Sequence, residues 1–264
     1  APKIIYKWYA NYTIFKRVIY YIASKVRKRT NLLRSATDII LLDTFILQNS
    51  LKGGKYIDRY YPGILDHLRD DQMKKIFWVP TISGHFSSKQ LHSLWKNSNE
   101  QIVYKHDYLG ARDYYNAFMM LLSMTFMKNE KYSVRGMDIT DMIHTVYKQG
   151  KVTASSFDGL LNFFFMKKLR SKNIDLRLVV DWNENQPIDK GLIKGVKTFY
   201  PEVRTKGYQG YIISPDYNVY IQPTDYEVDA GLIPDEICVV GNGLQDQVCK
   251  YTQKITVSIA PAFR

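Results

Sequence analysis

Two cysteines in 264 residues, Cys238 and Cys249, leave no disulfide framework and no Cys/His set at a metal-ligand spacing. Reduced thiols in a cytosolic protein are the expectation, and with no clustered ligands anywhere, no metal site is expected. Long apolar runs are missing too. No stretch of 18 uncharged apolar residues occurs, and the first residues show no apolar segment followed by a small-residue cleavage site, so neither a spanning helix nor a secretion signal is expected. Internal repeats, low-complexity tracts and Pro/Gly/Ser-rich linkers are absent, which predicts one main domain. Acids are absent from residues 1–34, a segment holding nine Lys or Arg, so nine of the twelve net positive charges fall there and the remainder is nearly balanced.

What is present is core material, 45% apolar and 14% aromatic residues, enough for a globular fold. The basic segment is itself aromatic (Tyr6, Trp8, Tyr9, Tyr12, Phe15, Tyr20, Tyr21), and Ile14, Val18, Ile22 and Val26 recur every four residues, as on one helix face. Two readings follow. The helix lies on an anionic membrane surface with its bases over the headgroups, or it packs on its own domain and leaves a solvated basic face. No nucleic-acid motif accompanies the charge, so nucleic acid is not an expected partner. The chain divides into a basic aromatic helical segment, 1–34, and a domain spanning 35–264.

Beyond residue 35, β-branched runs alternate with helical patterns. Strands are expected at 38–45, 75–82, 101–109, 176–182, 203–212, 236–243 and 255–261, and helices near 60–71, 86–96, 111–128, 138–149, 155–172 and 188–200. That alternation predicts an α/β, Rossmann-like fold with a mainly parallel sheet flanked by helices. In such sheets ligands bind outside the carboxyl ends of the strands, where loops lead into helices.

One stretch stands out under that rule. In "VVDWNENQPIDKG" (179–191) an apolar strand ends in six polar or aromatic residues, and Pro187 suits the first turn of a new helix. Capping by Asn185 or Gln186 and dipole complementation by Glu184 explain one or two of them, but not six. Glu184 is therefore expected to face the largest cleft as a general base or a group that holds a substrate hydroxyl, with Asn185 and Gln186 beside it. "TASSFDG" (153–159) sets Asp158 in the first turn of a helix, as a candidate base or nucleophile or as part of a helix start capped by Ser155 or Ser156. "VPTISGHFSSKQ" (79–90) offers Ser83 and His85 in a loop before a helix, which suits an anionic group. It lacks the spacing of a nucleophile elbow. "LKGGK" (51–55) lacks P-loop spacing and reads as a turn. "GYQGYI" (207–212) brackets Tyr208 and Gln209 with glycines, which suits either close approach to a sugar or a bend in the strand.

Taken in order, "KYIDRYYPGILDHL", "WVPTISG", "DWNENQPIDKGLIKGVKTFYPEVRTKGYQGYI", "QPTDYEVDAGLIPDEICVVGNGL" and "SIAPAFR" resemble the N-terminal half of bacterial surface-polysaccharide glycosyltransferases of the GT-B type, nearest to the retaining β-Kdo transferases. The resemblance covers about residues 38–264. It implies two facing Rossmann-like domains, the acceptor near the first and the nucleotide held mainly by the second, which in the order of motifs would follow Arg264. It implies a nucleotide-sugar donor, CMP-Kdo in that subgroup, with no other cofactor, a lipid-linked glycan acceptor, and a cytoplasmic protein peripheral on the inner membrane. Retention would need a carboxylate nucleophile and a base, for which Asp158, Asp181, Glu184 and Asp189 are the candidates. Two other function classes remain open on the residues alone: a non-catalytic glycan- or membrane-binding α/β module, and an enzyme of the nucleotide-sugar epimerase kind.

Overall fold

The computed structural model describes residues 12, 14–24, 33, 36–52, 55–83, 86–96, 101–123, 131–150, 153–211 and 222–263. After the helix over residues 14–24 (α1), the chain runs through β1 (Ile39–Ile46), a small antiparallel pair of β2 (Leu51–Lys52) and β3 (Lys55–Tyr56), α2 (Asp70–Met73) and β4 (Ile76–Ile82). Then come α3 (Ser88–Lys96), α4 (Lys105–Tyr108), α5 (Ala111–Ser123), the short antiparallel strands β5 (Ser133–Val134) and β6 (Met137–Asp138), α6 (Thr140–Gly150) and α7 (Ala154–Ser171). The last third is β7 (Leu176–Trp182), α8 (Pro187–Phe199), β8 (Arg204–Gln209), α9 (Asp225–Asp229), β9 (Glu236–Val239), α10 (Asn242–Val248) and β10 (Thr256–Ile259).

Six strands form one parallel sheet in the order β10-β9-β8-β7-β1-β4. Ile102 extends it by one bridge beside β4, through Trp78. The chain thus lays strands outward on one side of β1, then crosses back to place β7 on its other side. That reversal lies between β1 and β7, where a crevice is expected at the carboxyl ends.

Alternation along the strands sorts their side chains into two cores. Ile39, Leu41, Phe77, Val79 and Val179 join α5, α7 and α8 on one face. Leu42, Trp78, Trp182 and Tyr208 meet Tyr60 and Tyr61 on the other. On the first face, α7 and α8 touch at backbone level. A Cβ on Gly191 would come within 2.0 Å of the Gly159 carbonyl oxygen, and one on Gly159 within 2.3 Å of the Pro187 oxygen. This contact brings Asp158 and Asn162 of α7 to the start of α8.

Three expected elements differ. The strand over 101–109 shrinks to the Ile102 bridge, and α4 follows it, turning the Lys105 and His106 side chains into the buried interior. The helix near 60–71 is a 3-10 turn, Ile64–His67, followed by α2. Gly63 in the left-handed region (φ 74°) starts the first, and extended Leu68 and Arg69 separate the two. The segment 236–243 leaves the strand at Val239 and enters α10 at Asn242. The stretch "LKGGK" flanks β2 and β3 as a hairpin, with Gly53 and Gly54 outside the described residues. No helix among the described residues is long and apolar enough to cross a membrane.

Helix α1 docks on the body. Ile14, Val18 and Tyr21 pack against the first core, and Arg17 and Tyr20 are buried. The four-residue spacing explains why Ile22 does not join them. Each step of four overshoots one turn, so by Ile22 the stripe has rotated about 80° from Ile14, and Ile22 is exposed. Val26 lies outside the described residues.

Candidate active site

Where the first core reaches the carboxyl ends of the strands, its apolar residues give way to a polar layer. Leu42 of β1 is in register with Val180 of β7, which sets Asp43 and Asp181, one residue on, side by side on the same face. Both are buried, at 2% and 0% exposure. One oxygen of Asp181 accepts a hydrogen bond from Asn183 Nδ2 at 3.1 Å. The other, Oδ1, has no hydrogen-bond partner among the described residues, and neither has Oδ1 of Asp43. Burial pushes both carboxyls well above the usual range, and each raises the other or a further acid. Asp43 acts on Asp181, and Asp189 and Asp158 act on Asp43 against the opposing Lys105. A pair of acids so placed holds its protons more tightly than ordinary carboxyls do.

The loop after β7 closes over this layer. Asn183 donates its backbone N–H to the Tyr208 carbonyl at 3.1 Å and accepts the Tyr211 hydroxyl on its own carbonyl at 2.7 Å. Asn185 is in the left-handed region (φ 54°), buried, with its side-chain oxygen lacking a partner among the described residues. Asp189, in the first turn of α8, reaches back so that its Oδ2 accepts the backbone N–H of Glu184 and of Gln186, both at 2.9 Å. The cap of this helix is therefore supplied by Asp189 from within it, and Asn185 and Gln186 do not supply it. Burial raises the Asp189 carboxyl well above its ordinary value, the Asp181 charge adds to that, and the two backbone donors oppose it. Its Oδ1 again has no partner among the described residues.

Glu184 has the expected Gln186 as its neighbour. Its two oxygens accept the Trp182 indole N–H at 2.9 Å and the Gln186 side-chain N–H at 2.7 Å. The carboxylate braces the loop, half-buried, while Gln186 is exposed. Tyr208 is buried, its hydroxyl donating to the Pro261 carbonyl at 2.9 Å, and Gln209 is buried with its amide donating to Asn183 at 3.3 Å. The glycines around them are explained by the protein's own packing. A Cβ on Gly207 would meet Asn183, and one on Gly210 the Tyr208 and Trp182 rings at 2.4–2.8 Å. Ser83, at the end of β4, donates its backbone N–H to Ile46 at 2.9 Å, and His85 lies outside the described residues.

Charged groups complete the layer beneath. Lys105, 1% exposed, donates to Thr81 Oγ1 at 2.9 Å and to Asn162 Oδ1, while Asn162 donates to the Ile188 carbonyl at 3.2 Å. Burial lowers the Lys105 ammonium, with Asp158 and Asp43 pulling the other way. Asp158 is held by α1. Arg17 Nε donates to its Oδ1 at 2.8 Å and a terminal guanidinium nitrogen to its Oδ2 at 2.7 Å. Burial alone would raise Asp158, but Arg17 and then Lys105 outweigh it, and the carboxyl lies below its usual value. Thr153 caps α7 by accepting the Ser156 N–H at 3.0 Å, the role expected of Ser155 or Ser156, and Asp158 lies past the first turn.

The layer thus gathers Asp181, Glu184, Asp189, Asn185 and Gln186, with Asp158 beneath, Gln209 joined to it through Asn183, Tyr208 bonded to Pro261 in the second core, and Ser83 bonded through its backbone to Ile46. Sequence reading missed Asp43, Lys105 and Arg17. An acid late in the apolar run "IILLDTFI" is the signal that would have found Asp43. Lys105 was hidden in a segment read as a strand. Among the described residues, no group of His, Cys, Asp and Glu is arranged to hold a metal ion.

No protein-family model matches the chain, and no curated protein matches it. Among solved structures, a crystal structure of O-ureido-L-serine synthase aligns at a TM-score of 0.23 and 11% identity over 96% of this chain and 78% of that one, a likeness too low to carry an argument.

Proposed function

We propose that this chain is the acceptor-side half of a nucleotide-sugar glycosyltransferase of the GT-B kind, moving a sugar such as Kdo from its CMP ester to a hydroxyl of a lipid-linked surface polysaccharide. The observation that carries the reading is the set of buried carboxylate oxygens without partners at the reversal between β1 and β7, those of Asp43, Asp181 and Asp189. Buried polar atoms of this kind demand an explanation, and acids with raised pKa values at such a reversal point to chemistry.

Two neighbouring buried carboxyls with raised pKa values offer one ionised oxygen and one acid once the first of them gives up its proton. In the proposed reaction the ionised oxygen, assigned to Asp181, bonds to the anomeric carbon as the bond from that carbon to the phosphate oxygen breaks. CMP leaves with the bonding pair. The acceptor hydroxyl then attacks the same carbon, displacing the carboxylate and giving its proton to a neighbouring base. Two inversions leave the configuration retained. Asp158 is unsuited to attack because Arg17 engages both its oxygens, and Glu184 serves the loop.

A second reading is favoured by one observation, the complete burial of Asp181. In a non-catalytic glycan-binding α/β module the polar layer would stay covered, whereas catalysis requires the loop over 183–186 to move aside. The test is CMP release from CMP-Kdo by the whole protein, with and without glycan acceptor. Release that is lost in Asp181→Asn supports the transferase. Glycan binding without release from any nucleotide sugar supports the module.

A further inference from the structure

Helix α1 carries a second apolar stripe opposite the one that docks. Tyr12, Phe15, Ile19 and Ile22 follow helical spacing and are all exposed, Phe15 to 60%. Helix α5 does the same. Tyr114, Ala117 and Leu121 are buried, while Tyr115, Phe118, Met119 and Leu122 are exposed, Tyr115 to 63%. The two helices are neighbours. The Tyr21 and Tyr114 rings lie 4.8 Å apart, and Ser24 donates to the His106 carbonyl at 3.0 Å just before α5. Both pack on the same core and turn their second stripe away from it.

A helix needs one apolar face to pack on its own protein, and a contiguous exposed apolar patch marks a contact surface. Charge decides what it contacts. Residues 1–34 contain nine Lys or Arg and no acid. The single acid of α5, Asp113, is buried, bonded to the Gly110 N–H at 2.7 Å and paired with Lys168, while Arg112 is exposed. Among the described residues neither helix exposes an acid, while Lys16 and Arg112 lie on them, so a second copy of this chain would bring cations against cations with no acid to meet them. An anionic bilayer would instead receive the rings and aliphatic chains at its headgroup boundary and the cations at its phosphates.

We propose that α1 and α5 together form a face that lies on an anionic lipid bilayer. This inference is independent of glycosyl transfer, and it differs from the sequence expectation in both stripe and extent. The α1 residues are Phe15, Ile19 and Ile22, because Ile14 and Val18 are used internally, and α5 adds Tyr115, Phe118, Met119 and Leu122.

The test is co-sedimentation of the whole protein with vesicles of phosphatidylcholine alone or of equal parts phosphatidylcholine and phosphatidylglycerol. Binding is expected to the mixed vesicles only and to weaken with salt. The double variant Phe118→Glu, Met119→Glu leaves residues 1–34 intact and is expected to weaken binding at least about tenfold. Should that variant lower the melting temperature, Arg112→Glu probes the same face without touching an apolar residue, and the same weakening with salt is expected. Equal vesicle binding by parent and α5 variants would overturn the proposal. So would a parent that ignores vesicles and forms a dimer in light scattering that these variants dissolve.

Discussion

Asp158 and Asp181 are buried carboxylates of one polar layer, and their surroundings are opposed. Asp158 meets a guanidinium fork that satisfies both oxygens and holds its acid form down. Asp181 meets one amide, keeps one oxygen without a partner among the described residues, and is pushed up by burial and by Asp43. The first arrangement spends its charge on joining α1 to α7. The second leaves charge and proton available, at a cost to stability that a purely structural position has no reason to bear. The difference teaches that burial alone does not identify a reactive carboxylate, since what its oxygens touch decides.

The strongest way to break the comparison is at the ion pair. Arg17→Ala strands Asp158 in the interior and is expected to cost about 3–5 kcal/mol in denaturant unfolding. Replacing both partners by apolar residues of similar size should recover most of that loss. A small loss in the single variant would mean that Asp158 is not differently placed from Asp181. Conversely, Asp181→Asn is expected to leave stability unchanged or raised, because it removes a poorly solvated charge, while CMP release falls by at least about 10²-fold. A destabilised variant with full turnover would reverse the assignment.

Acidity sharpens the same contrast. Asp43, Asp181 and Asp189 bind protons more tightly folded than unfolded, so their contribution to stability is complete below the ordinary carboxylate range and is lost as pH rises through their elevated folded values. Asp158 has the opposite sign: its contribution is present above the ordinary range and is lost as pH falls through its depressed folded value. Unfolding free energy followed upward from about pH 4 should therefore decline, and Asp181→Asn should flatten the decline by up to about 1.4 kcal/mol per pH unit. Identical slopes would remove Asp181 from the titrating set. The smallest effect is expected at Glu184→Gln, with about 1 kcal/mol of stability lost as one of its two accepted bonds becomes a donor against a donor, and turnover within tenfold of the parent. A 10²-fold fall in turnover at unchanged stability would instead restore Glu184 as the base.

Legibility in the sequence followed how local each cause was. The strand 176–182 and the helix from Pro187 were readable because alternation, apolar runs and a proline at a first helical turn act over a few residues, and the parallel α/β order follows from their succession. The loop 183–186 was readable as a strand end of unusual polarity. The work done by each of its side chains was not, because Asp189 takes the cap and Glu184 takes the indole only once strand and helix are in place. Helix α1 was readable as amphipathic from Ile14, Val18, Ile22 and Val26, but its second stripe, with Phe15 and Ile19, was not read. Which one faces the body is fixed by Arg17 reaching Asp158, 141 residues away. Asp43 and Asp181 are 138 positions apart and adjacent only because β1 and β7 pair in parallel, and Lys105 joins them only because α4 replaces the expected strand. Composition and periodicity by themselves thus determined the layers and the edge of the sheet where polar residues collect. Tertiary structure decided which acids are satisfied and which are not, because hydrogen-bond partners and desolvation depend on what the fold brings within 3 Å, and that distance is invisible along the chain.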